Sequence, residues 1–163
     1  MTHRAIWLRL FYPSEDWVED ACALCEKNPL FDQVPHKSVR RLVSRMHRRY
    51  YSAGETVVSL GNAGAGAVLI LSGEVVVRVN DVELERMERG ALFGEVSLVA
   101  DLPRTATVTA VEDCDLLFFL RSDLQEWMSV MPKEAARLFQ NLATMLGKRL
   151  MEKNVLVGRG GDA

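Results

Sequence analysis

Residues 93–107 read F-G-E-V-S-L-V-A-D-L-P-R-T-A-T, and they hold a carboxylate and a guanidinium at a separation suited to a charged sugar. Gly94 and Glu95 open a short apolar segment, and Arg104 stands nine residues after Glu95, directly behind Pro103. A short helix beginning at Gly94 would aim free backbone N–H groups at an anion, and its dipole would favour negative charge there. Arg104 adds a planar fork that can hold two phosphate oxygens at once. Glu95 has acceptors only, so it suits donors such as sugar hydroxyls. One anion cradle, one cation and one carboxylate describe a site for a sugar phosphate. The competing reading is a charged surface turn between strands.

The elements that must position these residues follow from periodicity. Residues 14–26 predict a helix: Ser14 caps it, Glu15 and Asp16 suit its first turn, and Trp17, Ala21, Leu24 and Cys25 line one face. A second helix is predicted over 35–50, with Val39, Leu42, Val43 and Met46 inward and arginines outward. From Thr56 the texture changes to short segments rich in β-branched and apolar residues. Strands are predicted at 56–60, 67–72, 74–80, 82–87, 105–110 and 115–120, separated by Gly61–Gly66, Gly73 and Asn80-Asp81. Asn80-Asp81 suits a two-residue hairpin, because both residues tolerate positive φ. From Pro132 to about Asn154 the helical period returns, with Leu138, Leu142, Met145 and Arg149 on one stripe and Phe139, Leu146 and Leu150 beside it. The fold class is therefore mainly β with flanking helices, an antiparallel barrel or double-sheet jelly roll.

The run from Phe93 to Thr107 closely resembles the phosphate-binding cassette of the cyclic nucleotide-binding domain family. The resemblance covers roughly residues 28–154 and implies the family's jelly-roll β-barrel, a short phosphate-binding helix, N-terminal helices and a long C-terminal lid helix. It implies that Glu95 binds the ribose 2′-hydroxyl and Arg104 the cyclic phosphate, with backbone N–H groups of Gly94, Thr105 and Ala106. Phe93, Val96, Ser97 and Pro103 complete the implied site. Thr105 can bond the phosphate, and in some family members a threonine there favours guanine, so cAMP and cGMP both stay open. Arg149 on the lid helix is placed to stack on the purine or bond its edge; the competing reading is a solvent-facing arginine with a packed stem. Two positions depart from the family pattern: Asn62-Ala63 and Ala67-Val68 stand where an acidic residue and an aromatic are usual.

Composition bounds what else this chain can do. With 163 residues, 48% apolar and 26% charged, it is long enough for one domain with a sizeable core. A net charge of −2 and a pI near 5.9 give no global pull towards nucleic acid. No apolar run approaches the ~20 residues that span a bilayer, and the start is a poor signal peptide. Cysteine usage points to the cytoplasm. Cys22 and Cys25 form a C-x-x-C without the further ligands zinc needs, so they read as helix cysteines, with Cys114 in the core. His3, His36 and His47 all precede the strands, which argues against a metal-binding jelly roll. Arg40, Arg41, Arg45, Arg48 and Arg49 read as a solvated basic face or, less simply, a docking surface for an acidic partner.

These readings combine into a non-catalytic receptor for cAMP or cGMP, with no metal. Its output is expected to run through an unidentified protein partner or a homodimer, because residues 155–163 are too few for a DNA-reading helix-turn-helix. The expected organisation is an N-terminal helical arm over 1–27, the binding domain over 28–154 and a flexible tail over 155–163. Ile6, Trp7, Leu8, Leu10, Phe11 and Tyr12 make the arm a candidate contact surface. The alternative is a fold that has lost its ligand and serves as an interaction module. A DNA-binding regulator is disfavoured by length.

Overall fold

The computed structural model describes residues 16–160, with side chains over 17–154. Helix α1 (Asp16–Lys27) leads through a 3₁₀ turn (Pro29–Phe31) to helix α2 (His36–Val43). Eight strands follow: β1 (His47–Tyr51), β2 (Thr56–Val58), β3 (Gly66–Ser72), β4 (Val75–Val79), β5 (Val82–Met87), β6 (Leu92–Phe93), β7 (Thr107–Ala110) and β8 (Cys114–Leu120). A one-turn 3₁₀ helix, Glu95–Leu98, separates β6 from β7. Helices α3 (Arg121–Val130) and α4 (Pro132–Gly160) close the chain. The residues 1–15 that carry Ser14, Glu15 and the apolar arm, and the last residues 161–163, lie outside the described residues.

The strands form two antiparallel four-stranded sheets, in the orders β1-β8-β3-β6 and β2-β7-β4-β5. That is the double-sheet jelly roll expected from the strand spacing; the sheets stay separate rather than closing into one barrel. β3 shows why. Its residues Gly66–Leu71 are all buried, since one face meets the helices and the other meets the second sheet. Ala67, Leu69 and Leu71 belong to a core shared with Trp127, Leu138 and Leu142 of α3 and α4. Val68 and Ile70 pack instead with Phe93, Val75, Val108 and Leu116 between the sheets. A strand buried on both faces loses polar alternation and reads as a continuous apolar run.

The hairpin residues Asn80 and Asp81 take φ of 47° and 67°, and Val79 pairs with Val82 across them. Both strands therefore meet in the register that a two-residue turn demands.

The helix predicted over 35–50 divides. α2 ends at Val43, and the residues beyond Met46 become β1, pairing with β8 along its whole length. The reason is tertiary. Arg48 donates to Asp115 at 3.0 Å from Nε and 2.5 Å from Nη2, and its guanidinium lies over the rings of Tyr50 (5.0 Å) and Trp17 (5.7 Å). A strand sets Arg48 diagonally across from Asp115 on one sheet face, and that pairing outweighs local helical periodicity. The expected basic helix face divides with it: Arg40 pairs with Glu19 and Arg45 with Glu126, while Arg49 covers the Phe118 ring. Helix α3 and strand β6 are further elements that periodicity misses. α3 stops because Met131 precedes Pro132, and α4 then runs past Asn154 to Gly160.

Cys22 and Cys25 are free and fully buried on α1. Burial pushes the Cys22 thiol up to about 11 and that of Cys25 higher still, so neither is a reactive thiolate at neutral pH. Among the described residues no group of three or more His, Cys, Asp and Glu is arranged to hold a metal, and no helix is long and apolar enough to cross a membrane.

The Arg48–Asp115 pair is mostly buried, so removing only the cation leaves a carboxylate without compensation. Arg48→Ala should destabilise the fold by about 3–5 kcal/mol in urea unfolding, whereas the paired change Arg48→Met with Asp115→Leu should recover most of that loss.

Candidate functional site

The site begins where β6 ends. Phe93 is buried between the two sheets and pairs with Val68, which fixes the start of the following turn. Gly94 then caps the one-turn helix in the left-handed region, at φ 74°. A side chain there would be strained by the backbone alone, and its Cβ would lie 2.2 Å from Nη1 of Arg104. Glycine is demanded twice over.

Arg104 arrives from the return segment of the same excursion. Its Nη2 donates to the Gly66 carbonyl at 2.7 Å, and its Nη1 donates to the Ser97 hydroxyl at 3.1 Å and the Gly94 carbonyl at 3.4 Å. A guanidinium carries five N–H donors, so these contacts do not exhaust it. Burial lowers the Arg104 pKa from its ordinary value, and the nearby Glu95 carboxylate opposes that shift. The group remains a cation at physiological pH. The cost of holding it half-buried is offset by the three chain acceptors.

Glu95 is 3% exposed, the most buried acidic residue among those described. A carboxylate so deep needs a donor, and it has one in Arg149. The Arg149 side chain is about half exposed and crosses from α4 to place Nη1 on Glu95 Oε1. The long helix thus reaches the one-turn helix through the Arg149–Glu95 ion pair. In this structure Arg149 meets the carboxylate itself.

The glycine-rich turn lies against the return segment through its main chain. Gly61 N donates to Arg104 O at 2.8 Å, Arg104 N donates to Asn62 O at 2.8 Å, and Ala63 bridges to Pro103. Because these contacts use backbone atoms, Asn62 and Ala63 keep the turn in place without an acidic side chain. Pro103 and Thr105 are exposed, Ala106 is half-buried, and Val96 points out from the one-turn helix. Gly94, Glu95, Ser97, Arg104 and Arg149 form one connected cluster. Sequence reasoning missed Arg121, whose side chain donates to Ser97 O and Gly64 O; an arginine at a strand-to-helix junction was the available signal.

A buried carboxylate facing a half-buried guanidinium, in a cradle of glycine backbone, matches the comparison with known sequences. The family model described as Cyclic nucleotide-binding domain matches residues 48–130, half of the chain. The chain belongs to the cyclic nucleotide-binding domain family. It is similar to a cyclic AMP receptor protein of Thermus thermophilus, 33% identical over 135 residues, covering 78% of this chain and 60% of that protein. It is also similar to a cAMP-dependent protein kinase regulatory subunit of Eremothecium gossypii, 39% identical over 83 residues, covering 50% of this chain and 18% of that one. Among solved structures, a cyclic nucleotide-binding domain from Methylobacillus flagellatus superposes with a TM-score of 0.72 at 26% identity, covering 87% of this chain and 83% of that one. The chain spans less than two thirds of the length of the curated relatives it matches.

In this cyclic nucleotide-binding domain the left-handed glycine and the arginine compete for one volume. Gly94→Ala should cost about 1–2 kcal/mol in backbone strain and should also shift the Arg104 side-chain NH signals by NMR. Gly54→Ala is the control: its φ is 87° but its Cβ would meet nothing within 4 Å, so stability should fall without any change at Arg104.

Proposed function

We propose that the chain is a non-catalytic receptor for a cyclic nucleotide, cAMP or cGMP. Arg104 and the backbone N–H groups of Gly94, Thr105 and Ala106 take the cyclic phosphate, and Glu95 takes the ribose hydroxyl. The observation that carries this reading is the meeting of Glu95, Arg104 and Arg149 at one short helix, two of them from the cassette and the third from α4. Family membership supports it, as do relatives whose names refer to cyclic AMP and the cAMP-dependent kinase.

Signalling follows from the same geometry. A ribose hydroxyl bound at Glu95 shares or replaces the donor that Arg149 now supplies, so occupancy changes what holds α4. Nucleotide binding then shifts the population of α4 positions, and the surface that α4 offers to a protein partner or a second copy changes with it. Leu150 and Met151 on that helix are 62% and 69% exposed, an apolar surface available for such a contact. The ligand-free interaction module draws support only from the altered turn at Asn62-Ala63, which nonetheless holds the cassette through its backbone.

Calorimetric titration with cAMP and with cGMP is the direct check. Heat with at least one nucleotide is expected, and silence from both at millimolar concentration would sink the reading. Arg104→Ala should weaken binding by roughly 2–5 kcal/mol, because the phosphate charge loses its buried partner. Arg149→Ala should weaken it less, by about 1.4 kcal/mol or tenfold, mainly through faster dissociation in stopped flow. An unchanged affinity in either variant would remove that residue from the site.

A further inference from the structure

Arg121 is the first residue of α3, directly after β8, and it is bonded from both its backbone and its side chain. Its N–H donates to Ala65 O at 2.8 Å. Its Nε donates to the Ser97 carbonyl at 3.1 Å, and its Nη2 donates to the Gly64 carbonyl at 2.6 Å and to Asp101 Oδ1 at 3.3 Å. One planar fork therefore joins the glycine turn, the one-turn helix and the loop after it to the base of α3. Ser97 and Gly64 are both buried, so their carbonyls depend on a protein donor. Space is equally tight: a Cβ on Gly64 would lie 2.1 Å from the Ser97 hydroxyl oxygen.

Ser97 is the point of convergence. Its hydroxyl is engaged by Arg104 and its carbonyl by Arg121, two residues along from Glu95. The helix that Arg121 opens runs through Met131 into α4, which returns Arg149 to Glu95. The contacts form a closed ring: Arg104 to Ser97 to Arg121, along α3 and α4, and back through Arg149 to Glu95.

We propose that Arg121 is a positioning residue that clamps the one-turn helix, so that Glu95 and Arg104 face one ligand while the helix stays linked to α3 and α4. It touches no ligand in this scheme. A guanidinium suits the task because it offers divergent N–H donors in one plane to two carbonyls and a carboxylate, which a lysine ammonium on a flexible stem cannot span equally. The inference rests on the reading of Glu95 and Arg104 as the nucleotide ligands, but its first consequence needs no nucleotide.

That consequence is local order in the ligand-free chain. Amide hydrogen exchange should accelerate at least tenfold over residues 94–99 in Arg121→Met, while β3 and β8 exchange as in the wild type. Unchanged exchange at 94–99 would overturn the clamp. Equal loosening of β3 and β8 would also overturn it, by reducing Arg121 to a general stability residue.

Calorimetry supplies the second arm. If wild-type protein binds neither cAMP nor cGMP, the receptor reading fails, and the exchange experiment still decides the clamp. If it binds, Arg121→Met should lower affinity about tenfold, and by less than threefold in an Arg149→Ala background, as members of one unit behave. Arg121→Lys should resemble Arg121→Met; full recovery by lysine would show that charge alone suffices and would overturn the role of the fork. Wild-type affinity in Arg121→Met would overturn the positioning role.

Discussion

A guanidinium held half inside a protein needs acceptors around it, and Arg104 imposes that need on everything nearby. Its neighbours are main-chain carbonyls of Gly66 and Gly94 and the hydroxyl of Ser97. Backbone can come this close only where side chains are missing. A Cβ at Gly94 would meet the guanidinium itself, and one at Gly66 would lie 2.0 Å from the Phe119 carbonyl. Glycine at 66 is therefore a consequence of the neighbouring strand, and glycine at 94 of the cation. So is the pairing of the turn at 61–63 with the return segment at 103–104, which delivers the arginine to its acceptors.

The same constraint ties the site to the core. Gly66 is both an acceptor for Arg104 and the first residue of β3, the strand buried on its two faces. Phe93, one residue before the cassette glycine, packs between the sheets. The cradle thus grows from the buried strands of the jelly roll, and its outer edge, at Val96, Pro103 and Thr105, meets solvent. On the other side α4 packs by Leu138 and Leu142, with Met145 and Leu146 against the same core, while Leu150 and Met151 beyond Arg149 stand exposed.

Much of this was readable along the chain. Asn80-Asp81 announced its hairpin because positive φ is a local property of those residues. Leu138 and Leu142 announced the packed stripe of α4, since a helix sets such residues on one face. Other features were hidden. Residues 47–50 end the helix expected from Val39, Leu42, Val43 and Met46, yet they form β1 because Asp115, far along the chain, waits for Arg48. Helix α3 is short and ends at the residue before Pro132, so its period barely repeats.

By itself the sequence determined the chemistry on offer: a carboxylate, a cation and a glycine cradle within one short stretch, and the kind of ligand that such a set can hold. These depend on residue type and near-neighbour spacing, which the chain carries whatever it folds into. Only the tertiary structure decided who meets whom. Glu95 and Arg149 are 54 positions apart, and Arg121 reaches Gly64 across 57. Such contacts arise where two sheets and a returning helix converge, and no local pattern encodes them. The reason is physical: a buried charge must find its partner in three dimensions, and the fold settles which one is within reach.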